Sequence, residues 1–301
     1  EANKLILEAD VLLAVGCRFS DRTTGKIDQF CPDAKIVHID VDTAEIGKNA
    51  KVDIPIVADA KKTLRQIYAQ ISEKLAKREE STWVKRIEEI RTQFKPKNNS
   101  SLEGPYLRPK EVLAELRKIL PPKAIVATEV GQNQSWGGLH YPALEPRTYI
   151  TSGGLGTMGF GFPAALGAKV AKPDVPVVDI AGDGSFTMTE QDLATSVNEH
   201  IPVVVVVLNN SVLGMVAQWQ RLFYRRRYCA VDLKGVPDFV KLADAYGVDG
   251  VRVSSMEEFS SAVRKAMNSD VTTVIDVPIS PEENVFPMVP SGSALKEMIW
   301  E

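Results

Sequence analysis

The chain has little cysteine, little histidine and no long apolar run. Its three cysteines, Cys17, Cys31 and Cys229, are too few and too scattered for a disulfide framework or a zinc site. That usage fits a reducing, cytoplasmic setting. The three histidines, His38, His140 and His200, show no metal-ligand spacing, and His38 sits inside an apolar strand where packing is the simpler reading. G-x-S-x-G, H-E-x-x-H and C-x-x-C are all absent, which removes the usual signatures of serine hydrolases, zinc proteases and thiol redox enzymes. No apolar stretch reaches the roughly 18 residues that mark a membrane-spanning helix. A net charge of −3 gives no electrostatic case for nucleic acid or an anionic membrane. The one dense basic run, Arg225-Arg226-Arg227, reads as a solvated loop. No signal peptide and no internal repeat is visible.

What remains is an ordinary globular composition, 44% hydrophobic and 25% charged over 301 residues, enough for two domains. Strand and helix patterns alternate from the start. A helical piece, Glu1 to Ala9, runs into a strand at Val11–Val15; further strands are expected at Ile36–Asp40 and Ile54–Val57. Lys61–Ile71 has a helical period in Leu64, Ile67, Tyr68 and Ile71. This is a small α/β unit over residues 1–76. A charged helix, Glu79–Gln93, and a Pro-, Asn- and Ser-rich linker, Phe94–Tyr106, occupy residues 77–107. Residues 108–301 read as a second α/β domain of about six parallel, doubly wound strands, with a possible terminal helix at Ala294–Trp300. Because the first residues look like the interior of a domain, the chain reads as a fragment cut at its N-terminal side.

Two strands of the second domain carry the chemistry. Val175–Ala181 and Val203–Leu208 are near-continuous Val/Ile/Leu runs, the pattern of parallel strands buried on both faces. The first leads into Gly182-Asp183-Gly184. The second leads into Asn209-Asn210, with twenty-four residues between Gly184 and Asn209. Ligands of open parallel sheets bind beyond the carboxyl ends of the strands, so Asp183 and Asn210 are expected at one sheet edge. A carboxylate and an amide carbonyl are hard oxygen ligands suited to Mg²⁺, which keeps few protein ligands and completes its octahedron with phosphate oxygens and water. The pair reads as half a cage for a metal-bound diphosphate. A competing motif is Gly154-x-Gly156-x-x-Gly159 with Asp179 twenty residues beyond, the spacing of a dinucleotide fingerprint. Asp179, however, lies within its strand rather than at the end, where a ribose would bind, and Gly161 and Pro163 interrupt the following helix.

GDG, a gap of about this length and NN resemble the thiamine-diphosphate motif. With it stand Arg18 to Gly25, Val130 to Gln134, Gly153 to Gly161, Leu213 to Gln220 with Phe223-Tyr224, and Pro287 to Gly292. Together these resemble the catalytic subunit of the acetolactate (acetohydroxyacid) synthases along nearly the whole chain. The resemblance implies the later part of a Rossmann-like, FAD-type middle domain followed by a complete diphosphate-binding domain. It implies a transferase of branched-chain amino acid (valine, isoleucine) biosynthesis that decarboxylates pyruvate and joins the two-carbon unit to pyruvate or 2-oxobutyrate. Its cofactors would be thiamine diphosphate (thiamine pyrophosphate), Mg²⁺ and a structural FAD. Its partners would be a second copy, in a homodimer or larger oligomer with shared sites, and a small regulatory subunit.

Carried over residue by residue, the resemblance gives Mg²⁺ to Asp183, Asn210 and the Val212 carbonyl. Gly182, Gly184 and Ser185 would approach the diphosphate, and Val130, Gly131, Gln132 and Asn133 would close its far end, Asn133 standing where the family often has His. Gly156, Leu213 and Gly214 are further cofactor contacts. Met158 would support the bent cofactor, Met215 would face its pyrimidine, Trp219 would line the pocket of the second 2-oxo acid, and Arg22 would pair with the substrate carboxylate. The glutamate that activates the cofactor belongs, in this family, to a pyrimidine-binding domain not seen here, so these 301 residues alone are expected to make no acetolactate. Weak matches at Ile39–Asp42 and Ala58–Ala60 hint at flavin contacts. Other thiamine enzymes of pyruvate (oxidases, decarboxylases), a dinucleotide-binding dehydrogenase and a non-catalytic remnant remain alternatives.

Overall fold

The computed structural model describes residues 1–75, 81–93, 106–235 and 237–300. The chain divides into two units, one of Glu1–Ser100 with Phe286–Glu301 and one of Ser101–Val285. Most of the expected linker, residues 94–105, lies outside the described residues.

The first unit contains α1 (Ala2–Leu7), β1 (Val11–Val15), α2 (Asp21–Thr24), β2 (Lys35–Asp40), β3 (Ile54–Val57), α3 (Ala60–Ser72) and α4 (Thr82–Gln93). Its three strands form a parallel sheet in the order β1-β2-β3. Asp59 caps α3 by accepting from the Lys62 amide at 2.8 Å, satisfying one of the N–H groups that a helix start leaves free. Phe19, Phe30, Cys31, Ile36 and Leu295 fill a small core. From its pattern 108–301 reads as the second domain, whereas the structure groups 286–301 with this unit. Gly25 forms an antiparallel bridge with Ala294, and Leu295 enters the core. The terminal helix expected at Ala294–Trp300 is a correction. Only the 3₁₀ turn Leu295–Glu297 forms, because Met288 and Ile299 exchange backbone hydrogen bonds and draw the chain out straight.

The second unit runs α5 (Pro109–Ile119), β4 (Ile125–Thr128), α6 (Gln132–His140), β5 (Tyr149–Thr151), α7 (Gly161–Ala171), β6 (Val177–Gly182), α8 (Asp183–Phe186), α9 (Leu193–Asn198), β7 (Val204–Asn209), α10 (Gly214–Phe223), α11 (Phe239–Tyr246), β8 (Asp249–Arg252), α12 (Met256–Ala266) and β9 (Thr273–Pro278). The six strands are all parallel, in the order β5-β4-β6-β7-β9-β8. The Val-rich runs are indeed central: Val178, Ile180, Val205, Val206 and Val207 are fully buried. Burial of each such side chain stabilises by roughly 1.5–3 kcal/mol. One sheet face packs with Leu113, Leu116, Phe259 and Val263, from α5 and α12; the other packs with Phe162, Phe186 and Phe239. Pro109 opens α5, Asp238 caps α11, and Gly247 ends α11 in the left-handed conformation at φ 75°.

This order sets the site. The chain leaves β4 towards β5 on one side and returns to β6 on the other, so the connections diverge at the carboxyl ends of β4 and β6. Such a switch point opens a crevice at the sheet edge.

Candidate diphosphate site

The crevice is an open cleft of about 500 Å³, built from the segments that follow three neighbouring strands. Val130 to Asn133 lie after β4, Gly182 to Ser185 at the end of β6 and beyond, and Leu208, Asn210 and Val212 to Val216 at the end of β7 and beyond; Met158 and Trp136 complete the lining. Gly182 pairs in register with Leu208, which brings the Asp183 turn beside Asn209-Asn210. The two motifs therefore meet at one sheet edge because their strands are neighbours.

Asp183 is almost fully buried. Its carboxylate accepts from the Gly184 amide at 2.8 Å and from the Ser211 amide at 2.6 Å. Burial nevertheless pushes its carboxyl up to about 6, helped by the charge of Asp276, and no cation of the described residues offsets it. A desolvated carboxylate without a cationic partner at a cleft is costly. A divalent ion would relieve that cost. Among the described residues no group of three or more His, Cys, Asp or Glu gathers as a metal cage, so the donor set suits an ion that keeps few protein ligands, as Mg²⁺ does.

Ser211 holds a left-handed backbone at φ 58°, unusual for a residue with a side chain. A chain of hydrogen bonds holds it there. The Asn209 Oδ1 accepts from the Ser211 amide, and the Asn209 amide group donates to Asp276 at 2.9 Å. The fully buried Asp276 also accepts from the Arg252 Nε at 2.7 Å. This network spans β7, β9 and β8 and fixes the turn that presents Asn210 and Val212. The Asn210 Oδ1 accepts from the Val212 amide at 3.2 Å, and its amide group donates to the Gln132 Oε1, also at 3.2 Å.

Gln132 is a hub. Its Nε2 donates to the Gln218 Oε1 at 2.8 Å and to the Glu283 carbonyl at 2.9 Å. Gly214 is required beside it, since a Cβ there would collide with the Gln132 Oε1 and lie 2.7 Å from the Asn210 Nδ2. Asn133 turns inward, its amide group donating to the Ile180 carbonyl at 2.9 Å. α6 and α10 both start at the cleft, and neither has a side chain capping its first amides. Uncapped helix starts favour anions.

The residues named from the sequence thus divide. Val130, Gly131, Gln132, Asn133, Met158, Gly182, Asp183, Gly184, Ser185, Asn210, Val212, Leu213, Gly214 and Met215 line one cleft. Gly156 does not line it; it makes a left-handed turn at φ 67° in the loop before Met158. Trp219 lies on α10, 37% exposed and outside the lining. Arg22 is exposed on α2 of the first unit. Trp136, Gln218, Glu129 and Asp276 were not singled out. Only their places at strand ends or on helices beside the cleft could have marked them. The Gly154–Gly159 run precedes α7 and Asp179 lies inside β6, away from the strand end where a fingerprint acid would act.

Two family models match: the thiamine pyrophosphate enzyme central domain over residues 1–67, and the thiamine pyrophosphate enzyme C-terminal TPP binding domain over residues 129–277. The chain is 45% identical to a probable acetolactate synthase large subunit of Methanocaldococcus jannaschii, covering 99% of this chain and 51% of that protein. It is 41% identical to the acetolactate synthase large subunit of Haemophilus influenzae, over 99% of this chain and 52% of that one. A probable acetolactate synthase large subunit of Methanococcus aeolicus is 42% identical over 99% of this chain and 51% of its own length. The chain spans about half the length of the curated relatives it matches. The chain belongs to the thiamine pyrophosphate enzymes, and within them it aligns along almost its whole length with acetolactate synthase large subunits.

Proposed function

We propose that the cleft holds the diphosphate end of thiamine diphosphate through Mg²⁺, and that the chain carries this part of an acetolactate synthase. The observation that carries the reading is the meeting of Asp183 and Asn210 at the ends of adjacent strands, in a cleft where two helix starts are uncapped. Asp183, Asn210 and the Val212 carbonyl would hold the metal. Gly182, Gly184, Ser185 and Val130 to Asn133 would surround the phosphates. The bound cofactor supplies the carbanion chemistry that decarboxylation and carbon–carbon joining need. The chain's own residues would position it: Met158 and Met215 line the same cleft and would serve in orientation.

Pyruvate, with pyruvate or 2-oxobutyrate as second substrate, is the substrate class, on the names of the relatives and on the earlier likeness of Trp219 and Arg22. Trp219 would favour the larger acid by apolar contact, and Arg22 is apt for a carboxylate. A second copy and a small subunit are the expected partners; the Haemophilus influenzae relative is itself called a large subunit. FAD is proposed for the first unit, where Val41-Asp42 and Ala58 follow β2 and β3 at the carboxyl edge of a parallel sheet. The cytoplasm is the proposed location on cysteine usage.

The test is product formation. With thiamine diphosphate, Mg²⁺ and pyruvate, these 301 residues are expected to release no acetolactate. The same residues preceded by a relative's N-terminal half should restore it, and Asp183→Ala should abolish it again. Acetolactate from the 301 residues alone would contradict the account of a shared site, and acetaldehyde or acetate from the extended chain would favour a decarboxylase or oxidase.

A further inference from the structure

Glu129 follows β4 directly and is wholly buried, yet it does not line the cleft. Its own amide donates to the Ile180 carbonyl, tying it to β6. Its carboxylate reaches the other way. Oε2 accepts from the Gly159 amide at 2.8 Å, and Oε1 accepts from the Phe162 amide at 3.0 Å. These two amides bracket the start of α7, directly after Met158. The loop from Gly153 to Thr157 is otherwise exposed, with few ties: the Thr157 amide donates to the Ser152 hydroxyl and the Gly153 amide to the Thr151 carbonyl. Glu129 is therefore the strong anchor nearest Met158. Hydrogen bonds from amides to a carboxylate are about twice as strong as neutral ones.

We propose that Glu129 is a positioning residue for the cofactor cleft: its carboxylate clamps the Gly159–Phe162 backbone to the end of β4 and thereby fixes Met158 against the cleft. The close approach this needs is built in. At Gly161 a Cβ would strike the Asp179 Oδ1 and lie 2.5 Å from the Glu129 amide nitrogen and 2.6 Å from the Thr128 carbonyl carbon, so only glycine lets the loop come down onto the strand ends. Asp179 is fully buried beside this contact, with neither side-chain oxygen hydrogen-bonded. Burial and the neighbouring Glu129 charge hold it well above the usual carboxylate range. Burial pushes the Glu129 carboxyl up as well, and the Phe162 and Gly159 amides pull it back down.

This inference rests on the cleft being the cofactor site only for the role it gives Met158; the clamp itself is tested without ligand. In amide hydrogen exchange on Glu129→Gln, the Gly159 and Phe162 amides should exchange at least ~10-fold faster, with the core amides of β6 and β7 unchanged, as for a local opening. Glu129→Asp, which keeps the charge but shortens the reach, should give the same local effect and serves if the first variant does not fold. Binding is then read by calorimetry with two probes. Magnesium pyrophosphate should bind the variant within about twofold of the unchanged chain, while magnesium thiamine diphosphate should bind ~10-fold more weakly, a tenfold loss being about 1.4 kcal/mol. Met158→Ala should show the same selective loss, and Met158→Ala with Glu129→Gln should lose no more than Met158→Ala alone, since residues acting through one contact are not additive. Unchanged exchange at Gly159 and Phe162, equal weakening of both probes, or additive losses would each overturn the proposal. Failure of the unchanged chain to bind magnesium pyrophosphate would instead count against the site reading, while the exchange result would still decide the clamp.

Discussion

At the scale of single residues, two buried acids set apart what the cleft needs from what the fold tolerates. Asp183 faces a cleft where a cation would relieve its desolvation. Asp179, four positions earlier and within β6, lies in the packed layer beneath α7, where burial and the Glu129 charge hold its carboxyl well above the usual range. The sign of its effect on stability follows. The folded chain keeps a proton that the unfolded chain releases above its ordinary value of 3.8, so folding is favoured less as pH rises beyond that point. Asp179→Asn mimics the protonated acid and removes this dependence. Its melting temperature relative to the unchanged chain should therefore rise as pH increases from about 4, the range of the free acid. A constant difference across that range would mean that Asp179 does not hold its proton. At Gly161 the same contact acts by volume. Gly161→Ala should cost about 1–3 kcal/mol in chemical denaturation, the usual cost of overpacking.

At the scale of elements, the turn after β7 is held from behind. Arg252 on β8, Asp276 on β9 and Asn209 at the end of β7 form a line of hydrogen bonds ending at the left-handed Ser211. None of these side chains is proposed to touch the metal. Partners of this kind orient ligands, and losing one typically weakens metal affinity by about 10–100-fold. Asn209→Ala should therefore lower Mg²⁺ affinity in the presence of pyrophosphate by that order while leaving far-ultraviolet circular dichroism unchanged. An unaltered Mg²⁺ titration would show that the turn holds its shape without the network. This scale also shows why some of the fold was legible in the sequence. β6 and β7 are near-continuous apolar runs because both faces are covered; α5, α11 and α12 carry clear apolar stripes, α5 opened by Pro109 and the other two capped by Asp238 and Ser255. α6 was not expected. Its sequence, QNQSWGGLH, has no apolar stripe, because its buried face is made of polar groups such as Gln132 and Asn133 that serve the cleft. The terminal segment failed for the opposite reason. It has helical local content, but a long-range bridge from Met288 to Ile299 overrides it.

At the scale of the whole molecule, the site is legible from sequence only as far as strand order is. Two motifs after two buried strands point to one edge, but only the order β5-β4-β6-β7-β9-β8 brings the Val130–Asn133 segment to the same place. The spacing also marks a decoy, the Gly154–Gly159 run, in which Gly156 and Gly159 instead make left-handed turns before α7. The hydrogen bonds of Glu129 and Asp276 run between residues far apart in sequence, which no local pattern announces. Arg22 and Trp219, given substrate roles by resemblance, lie outside the cleft's lining. Among the described residues no helix is long and apolar enough to cross a membrane.

The central claim is that this cleft takes a metal-bound diphosphate. The direct measurement is thermal unfolding with Mg²⁺ and thiamine diphosphate together, with each alone, and with NAD, on the unchanged chain and on Asp183→Ala. A ligand at about 100 times its dissociation constant should add about 2.7 kcal/mol of stability. The account predicts a rise in melting temperature that needs both Mg²⁺ and thiamine diphosphate and vanishes in Asp183→Ala. A rise that persists without Mg²⁺ or in Asp183→Ala, or one produced by NAD instead, would contradict it.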